Sequence, residues 1–417
     1  MPSRAPGRNA LYFIVITVLL DVIGFGLIVP IMPRLLVDLT GKSLGQAAIY
    51  GGWLSFLYAA VQFVCAPILG GLSDRYGRRP ILLYAVGSFG IDYLIMGFAP
   101  SLGWLFFGRV ISGISGASYT PAYACVADLT PPEKRAQNFG LISAAFGIGF
   151  ILGPAFGGLL SHLGVRAPFF GAALLSFANL FYGFFVLPES LPRERRRAFD
   201  WRRANPLGTL FHVGKQRAIR TVLGALFLWM LANQVMPSVW SFYTKLKFGW
   251  SEAMIGASLA TAGLVMTLAQ ALLIRRLIPR LGERRTALLG IAFAVLGYVG
   301  YASATQGWMM FAWLITWLFG ALVMPSTNAF LSHRVAPDAQ GELQGAVACL
   351  SSLALIVGPV LMTQIFSFST SGSTKLYLPG APFFFASALA FVCWFVYRAA
   401  TKAPALAAAP NLQGNAA

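Results

Sequence analysis

Charge is the scarcest property of this chain, and negative charge is scarcer still. Of 417 residues, 11% are Asp, Glu, Lys or Arg, and only thirteen are acidic. A soluble domain carries about a quarter charged residues, so a globule that faces water on all sides is excluded. Histidine is equally sparse. His162, His212 and His333 are scattered near segment ends, with no spacing that would hold zinc. The four cysteines, Cys65, Cys125, Cys349 and Cys393, all lie inside apolar runs. They form neither a disulfide framework nor a metal knuckle. With no nucleophile or metal constellation, the expectation is a protein that is not an enzyme, with no resident metal and no organic cofactor.

What is abundant is apolar surface, at 57% of residues, together with 44 glycines that suit close helix packing in a bilayer. A helical crossing needs about 20 apolar residues. Twelve such runs are present, near 11–33, 49–69, 81–99, 103–126, 138–160, 166–187, 219–243, 252–274, 286–303, 308–331, 343–367 and 379–399. The pattern predicts an all-α integral membrane protein with twelve spans in two six-helix bundles. The first run is retained rather than cleaved, since it exceeds the length of a signal peptide and lacks a small-residue cleavage site.

The longest connector, 188–218, divides the chain. The expected units are an N-terminal bundle over 1–187, a central loop over 188–218, a C-terminal bundle over 219–400 and a disordered tail over 401–417. Three echoes recur at an offset of 205 residues: Ile151-Leu-Gly-Pro154 with Ile356-Val-Gly-Pro359, Asn138-Phe-Gly140 with Leu343-Gln-Gly345, and Arg75-Tyr-Gly-Arg-Arg79 with Arg280-Leu-Gly-Glu-Arg284. They point to a duplicated six-span unit, a common plan for transporters.

The net charge of +18 invites a nucleic-acid reading, but its placement excludes one. The termini and the connectors on their side hold 24 of the 31 basic residues; the opposite connectors hold six, and Arg109 lies within a span. By the positive-inside rule the termini and the central loop are cytoplasmic, and the expected location is the bacterial inner membrane. The expected partners are the bilayer and a small amphipathic substrate, with the chain working as a monomer.

Eleven of the acids sit in connectors or near span ends; Asp21 and Asp92 do not. Asp21 lies about ten residues into span 1, roughly 15 Å from the cytoplasmic end at the helical rise, and Asp92 is equally deep in span 3. Intramembrane carboxylates are costly and usually mark a pathway. Both are candidates for proton coupling or cation recognition; the plainer alternative is a structural hydrogen-bonded acid. Arg109 is the one basic residue well inside a span. It is expected either to pair with Asp21 or Asp92, or to extend toward the nearby interface.

The connector between spans 2 and 3, Gly70-Gly-Leu-Ser-Asp74-Arg75-Tyr-Gly77-Arg78-Arg79-Pro80, carries more than a topology signal needs. Asp74 is placed to accept hydrogen bonds at a helix N-terminus. Arg75, Arg78 and Arg79 are placed to reach acids at other helix ends, such as Asp128, and to lock the cytoplasmic side in one state. Span 5 reads Gly147-Ile-Gly149-Phe-Ile-Leu-Gly153-Pro154-Ala-Phe-Gly157-Gly158. Its proline predicts a kink and its glycines a smooth face, so that span 5 seals one side of a cavity. Candidate substrate contacts are the amides Gln62, Asn233, Gln234 and Gln270 and the aromatics Trp313 and Trp317.

These residues resemble the major facilitator superfamily. The 2–3 connector has the form of its loop signature, Arg109 with Gly113 and Gly116 resembles its span-4 proton-transfer motif, and span 5 resembles the motif of its drug:proton antiporters. Within that group the chain is most similar to the tetracycline-efflux proteins of Gram-negative bacteria. The shared stretches include Leu20-Asp21-Val-Ile-Gly24-Phe-Gly26, Ala167-Pro-Phe-Phe170, Leu187-Pro-Glu-Ser190 and Gly341-Glu-Leu-Gln-Gly345. The resemblance implies proton-driven export of tetracycline or a related drug, with a divalent metal carried on the substrate. It also implies an Asp in span 9 and a His in span 8, where this chain has Ala294 and Met266. A transporter of a metabolite or lipid, and a non-transporting membrane receptor, remain the competing readings.

Overall fold

The computed structural model describes residues 6–116, 122, 125, 126, 130, 135–197, 199, 217–336, 339–371 and 377–402. Every regular element among them is helical. Span 1 is Pro6–Ile28, followed by the short helix Met32–Thr40, because Pro30 and Pro33 interrupt the apolar run. Span 2, Leu44–Tyr76, outruns its apolar core at both ends. Ser43 caps it by accepting from the Gln46 amide, and Gly77, at φ 110°, stops it. Span 3 is Arg78–Phe98, span 4 is described from Leu102 to Gly116, span 5 is Arg135–Leu160 and span 6 is Ala167–Val186.

In the second half, span 7 comprises Arg217–Asn233 and Val235–Phe248. Spans 8 and 9 form one continuous run, Glu252–Ser303, that turns back at Gly282 with φ 75°. Span 10 covers Gly307–Ser332, span 11 Gln340–Thr370 and span 12 Ala381–Ala400. Among the described residues, ten helices are long and apolar enough to cross a membrane. The ten accommodate twelve expected crossings, since spans 8 and 9 merge and span 4 is described only in part. Large apolar side chains stay uncovered on the outer faces of the helices, among them Leu174, Phe181, Phe185 and Phe368. A patchwork of this kind suits lipid, not water.

Packing within the first half relies on glycine. Span 5 lies against span 1 so closely that a Cβ on Gly153 would stand 2.8 Å from the Gly26 Cα and from the Ile23 carbonyl oxygen. Gly149 fits over Val22, and Gly157 over the Leu27 backbone, by the same device. Pro154 lies within span 5, which continues as helix through it.

The halves meet along two seams. Span 5 abuts span 8, with Gly158 against Ala253, Gly256 against the Pro154 carbonyl and Gly263 against Ile151. Span 2 abuts span 11, with Gly45 against Thr370 and Gly52 against Thr363 and Pro359. Residues 45, 158, 253 and 370 all lie at helix ends remote from the termini. The two halves are thus drawn together on the side opposite the termini.

Candidate functional site: the central cavity

Two chambers meet at Gln234. The first, of about 190 Å³, lies between the halves and is lined by Phe25, Tyr58, Gln62 and Arg109 from one half and by Gln234, Ser238 and Phe242 from the other. The second, of about 480 Å³, lies within the C-terminal half and is lined by Trp229, Asn233, Gln234, Met266, Gln270, Ala294, Trp317 and Asn328, among others.

Arg109 forms the charged wall of the first chamber. Its Nη2 donates to Asp92 Oδ2 at 2.6 Å and approaches Met96 Sδ at 2.7 Å. The guanidinium carbon stands 5.8 Å from the Tyr58 ring centroid. Gly108 leaves room for the carboxylate, since a Cβ there would run into Asp92 Oδ1. Asp92 is fully buried while the Arg109 side chain keeps 13% exposure. Arg109 therefore contacts the cavity and Asp92 sits behind it. Of the two expectations for Arg109, the structure places it in the pair with Asp92.

Asp21 is set apart from both chambers. It lines a small pocket of about 20 Å³ with Thr17, Leu82, Val86 and Ala122, and its Oδ1 is buried without a hydrogen-bond partner. Nearby, Thr17 Oγ1 donates to Asn179 Oδ1 at 3.2 Å, tying span 1 to span 6.

Among the expected substrate contacts, Gln62 lines the first chamber and donates to the Gly116 carbonyl at 2.9 Å. Asn233, Gln270 and Trp317 line the second, and Gln234 lines both. Trp313 does not join them. Its indole fills the space above Gly300, between spans 9 and 10. A 3₁₀ turn at Leu314–Thr316 separates the two tryptophans and sends them to different faces.

The 2–3 connector departs from expectation in its partners. Asp74 does not cap a helix; its Oδ1 pairs with Arg78 Nη1 at 2.6 Å, one turn away. The N-terminus of span 3 is capped by Glu189, whose Oε1 accepts from the Arg78 amide at 2.8 Å and from the Leu191 amide at 3.0 Å. Arg78 Nη1 also donates to Ser73 Oγ, and Arg79 Nη2 donates to the Phe184 carbonyl at 2.6 Å. Arg75 lies over the Tyr76 ring, and Gly70 and Gly71 lie in the last turns of span 2. The Arg197 amide donates to the Asp74 carbonyl, and Phe199 rests against Gly71. The start of the central loop is therefore folded over this connector. Asp128 lies outside the described residues. Glu189 had only weak signal in the sequence: an acid in a proline-bounded loop reads as solvated.

This geometry has close counterparts. The Major Facilitator Superfamily model matches residues 14–305 and again 224–414. This chain belongs to the major facilitator superfamily. The two matches overlap over residues 224–305 and together cover nearly all of the chain. The chain is similar to the tetracycline resistance protein, class C, of Escherichia coli, at 42% identity over 87% of this chain and 91% of that protein. It is similar to the class G protein of Vibrio anguillarum at 38% identity, over 88% and 92%. Among solved structures it matches the human organic anion transporter MFSD10 (TETRAN) with a TM-score of 0.70 and 25% identity, over 94% of this chain and all of the other. Membership makes the chain a multi-pass membrane transporter, and the superfamily consists of transport proteins that are not enzymes.

Proposed function

We propose that the chain is a proton-coupled antiporter that exports an amphipathic organic compound, tetracycline or a related drug, across the bacterial inner membrane by alternating access. In this reading it works as a monomer with both termini in the cytoplasm, following the 24-to-6 bias of basic residues. Residues 1–187 and 219–400 are the two moving bundles. The observation that carries the reading is the Asp92–Arg109 pair, with its acid buried and its base on the cavity wall. The names and high identity of the tetracycline resistance proteins give it direction.

The coupling follows from the pair. A proton arriving on Asp92 cancels the charge that holds Arg109, and the freed guanidinium redistributes charge along the wall where cargo sits. Asp21, in its own small pocket, is a second proton site on span 1. Proton and cargo then compete for one state of the cavity, which is the requirement for exchange. With the halves joined on the side opposite the termini, this reading takes the conformation as the one that receives cargo from the cytoplasm. Pro154 and Gly158 hold that closure against span 8 while Gly149, Gly153 and Gly157 seat span 5 on span 1, and Asp74 with Arg75, Arg78 and Arg79 forms the cytoplasmic gate.

The test is proteoliposome flux under an imposed pH gradient, with a panel of amphipathic drugs that includes tetracyclines. Substrate-dependent proton movement is expected, and Asp92→Asn and Asp21→Asn should each abolish it. Full coupled flux in both variants would remove these acids from the mechanism.

A further inference from the structure

Three spans of the C-terminal half lose regular α-helix, and they do so around one cavity. Span 7 breaks at Gln234, between the helix ending at Asn233 and the helix starting at Val235. Span 8 passes through a π-helical turn at Ala269–Leu273. Span 10 tightens into the 3₁₀ turn Leu314–Thr316 and breaks again at Ala321–Leu322 before Val323. Gln234, Gln270, Thr316 and Ala321, one or more from each irregular segment, line the chamber of about 480 Å³. At membrane depth, non-helical backbone is tolerated where it lines a cavity or is buried in protein. π-Turns concentrate at functional sites.

The chemistry of this chamber is one-sided. Among the described residues its wall contains no Asp, Glu, Lys, Arg or His. It offers the amides of Asn233, Gln234, Gln270 and Asn328 and the flat rings of Trp229 and Trp317. Asn328 Oδ1 is buried with no hydrogen-bond partner, and Asn233 Nδ2 is already committed to the Trp229 carbonyl. The adjoining chamber adds one charged wall residue, Arg109, and Asp92 neutralises it at 2.6 Å. While that pair is intact, no uncompensated charge among the described lining residues faces the cargo.

Building on the exporter reading above, we infer that the cargo is an electrically neutral, planar aromatic compound with carbonyl or hydroxyl groups along its edge, carried without a bound divalent cation. A cation or anion entering the larger chamber would give up water and meet no counter-charge. Chelated magnesium or calcium would likewise find no carboxylate, the group such hard ions favour. A neutral ring system stacks on tryptophan and hydrogen-bonds to amides at its rim. The chamber volume falls within the range of about 300–1,000 Å³ typical of drug-sized ligands.

The experiment is equilibrium binding to the full-length chain in detergent, read as quenching of tryptophan fluorescence. It uses three tricyclic probes of similar size: neutral acridone, cationic 10-methylacridinium and anionic acridone-10-acetate. Acridone is expected to bind at least tenfold more tightly than either charged probe. Tetracycline affinity is expected to change less than twofold between excess magnesium and excess chelator. Ala294→Asp, which puts a carboxylate on the chamber wall, should raise methylacridinium affinity about tenfold; Met266→Glu is a second variant with the same expectation. Absence of acridone binding, equal or tighter binding of methylacridinium by the unaltered chain, or a tenfold gain in tetracycline affinity with magnesium would each overturn the inference. No proton gradient enters this measurement. A failure of proton coupling would appear in the liposome flux and leave these affinities unchanged.

Discussion

Replacing Gly52 with valine should force apart the seam between spans 2 and 11 and shift the protein toward the state open on the side opposite the termini. A Cβ at position 52 would overlap Thr363 Oγ1 and stand 3.0 Å from the Pro359 carbonyl oxygen and 3.2 Å from Thr363 Cβ. The threonine hydroxyl can rotate away, but the carbonyl belongs to the backbone of span 11 and cannot. Overpacking of this kind costs about 1–3 kcal/mol. The cost falls only on the conformation in which the seam is closed, so the open population should rise by a factor of about 5–150. The assay is a spin-label distance between Lys42→Cys and Gln306→Cys, two exposed positions on that face, in a chain whose four native cysteines are replaced. The long-distance population should grow with Gly52→Val and stay constant with Gly140→Val, where a Cβ meets nothing within 4 Å. An unchanged distance distribution in a folded Gly52→Val protein would refute the assignment of this contact as a state-specific closure.

Further outcomes follow from the charged groups. Arg109→Ala leaves Asp92 buried beside an empty partner position and should destabilise the protein by about 3–5 kcal/mol, with Arg109→Ala/Asp92→Asn recovering part of the loss in a thermal melt. Glu189→Ala removes the cap of span 3 and should cost about 1 kcal/mol, seen as a lower melting temperature with binding affinity retained. Gly77→Ala should cost more than Gly164→Ala: both have positive φ, but a Cβ at 77 runs into the Glu189 carboxylate while one at 164 meets open space; the two melting temperatures decide it.

The broad architecture was legible because a bilayer imposes a simple rule on sequence. Apolar length gave the crossings, the basic connectors suggested a side, and the echoes between Pro154 and Pro359 indicated duplication. The Asp92–Arg109 pair was legible for a related reason: charge within a span is rare enough that each instance stands out. What was hidden depended on rotation about helix axes. Trp313 and Trp317 are four residues apart and would share a face on a regular helix. The intervening 3₁₀ turn separates them, and neither proline nor glycine announces it. The π-turn over Ala-Gln-Ala-Leu-Leu is equally silent in sequence. The Asp74 expectation missed because two acids compete for one helix end. Glu189 wins the amide from a loop over a hundred positions away, and Asp74 is left with the guanidinium of its own turn.

Under the exporter reading, span 5 has two faces that live on different timescales. Gly149, Gly153 and Gly157 lock it to span 1 inside one bundle, a contact that persists as long as the bundle is folded. One step around the same helix, Gly158 and the Pro154 carbonyl touch span 8 of the other bundle, a contact that an exporter makes and breaks in every cycle. A single glycine-rich stretch thus contains a weld and a latch side by side. Enlarging a residue on the weld should lower the yield of folded protein, whereas enlarging one on the latch should leave yield intact and alter turnover. Neighbouring positions of one motif would then give opposite phenotypes, and the face each residue occupies, not its place in the motif, would decide which.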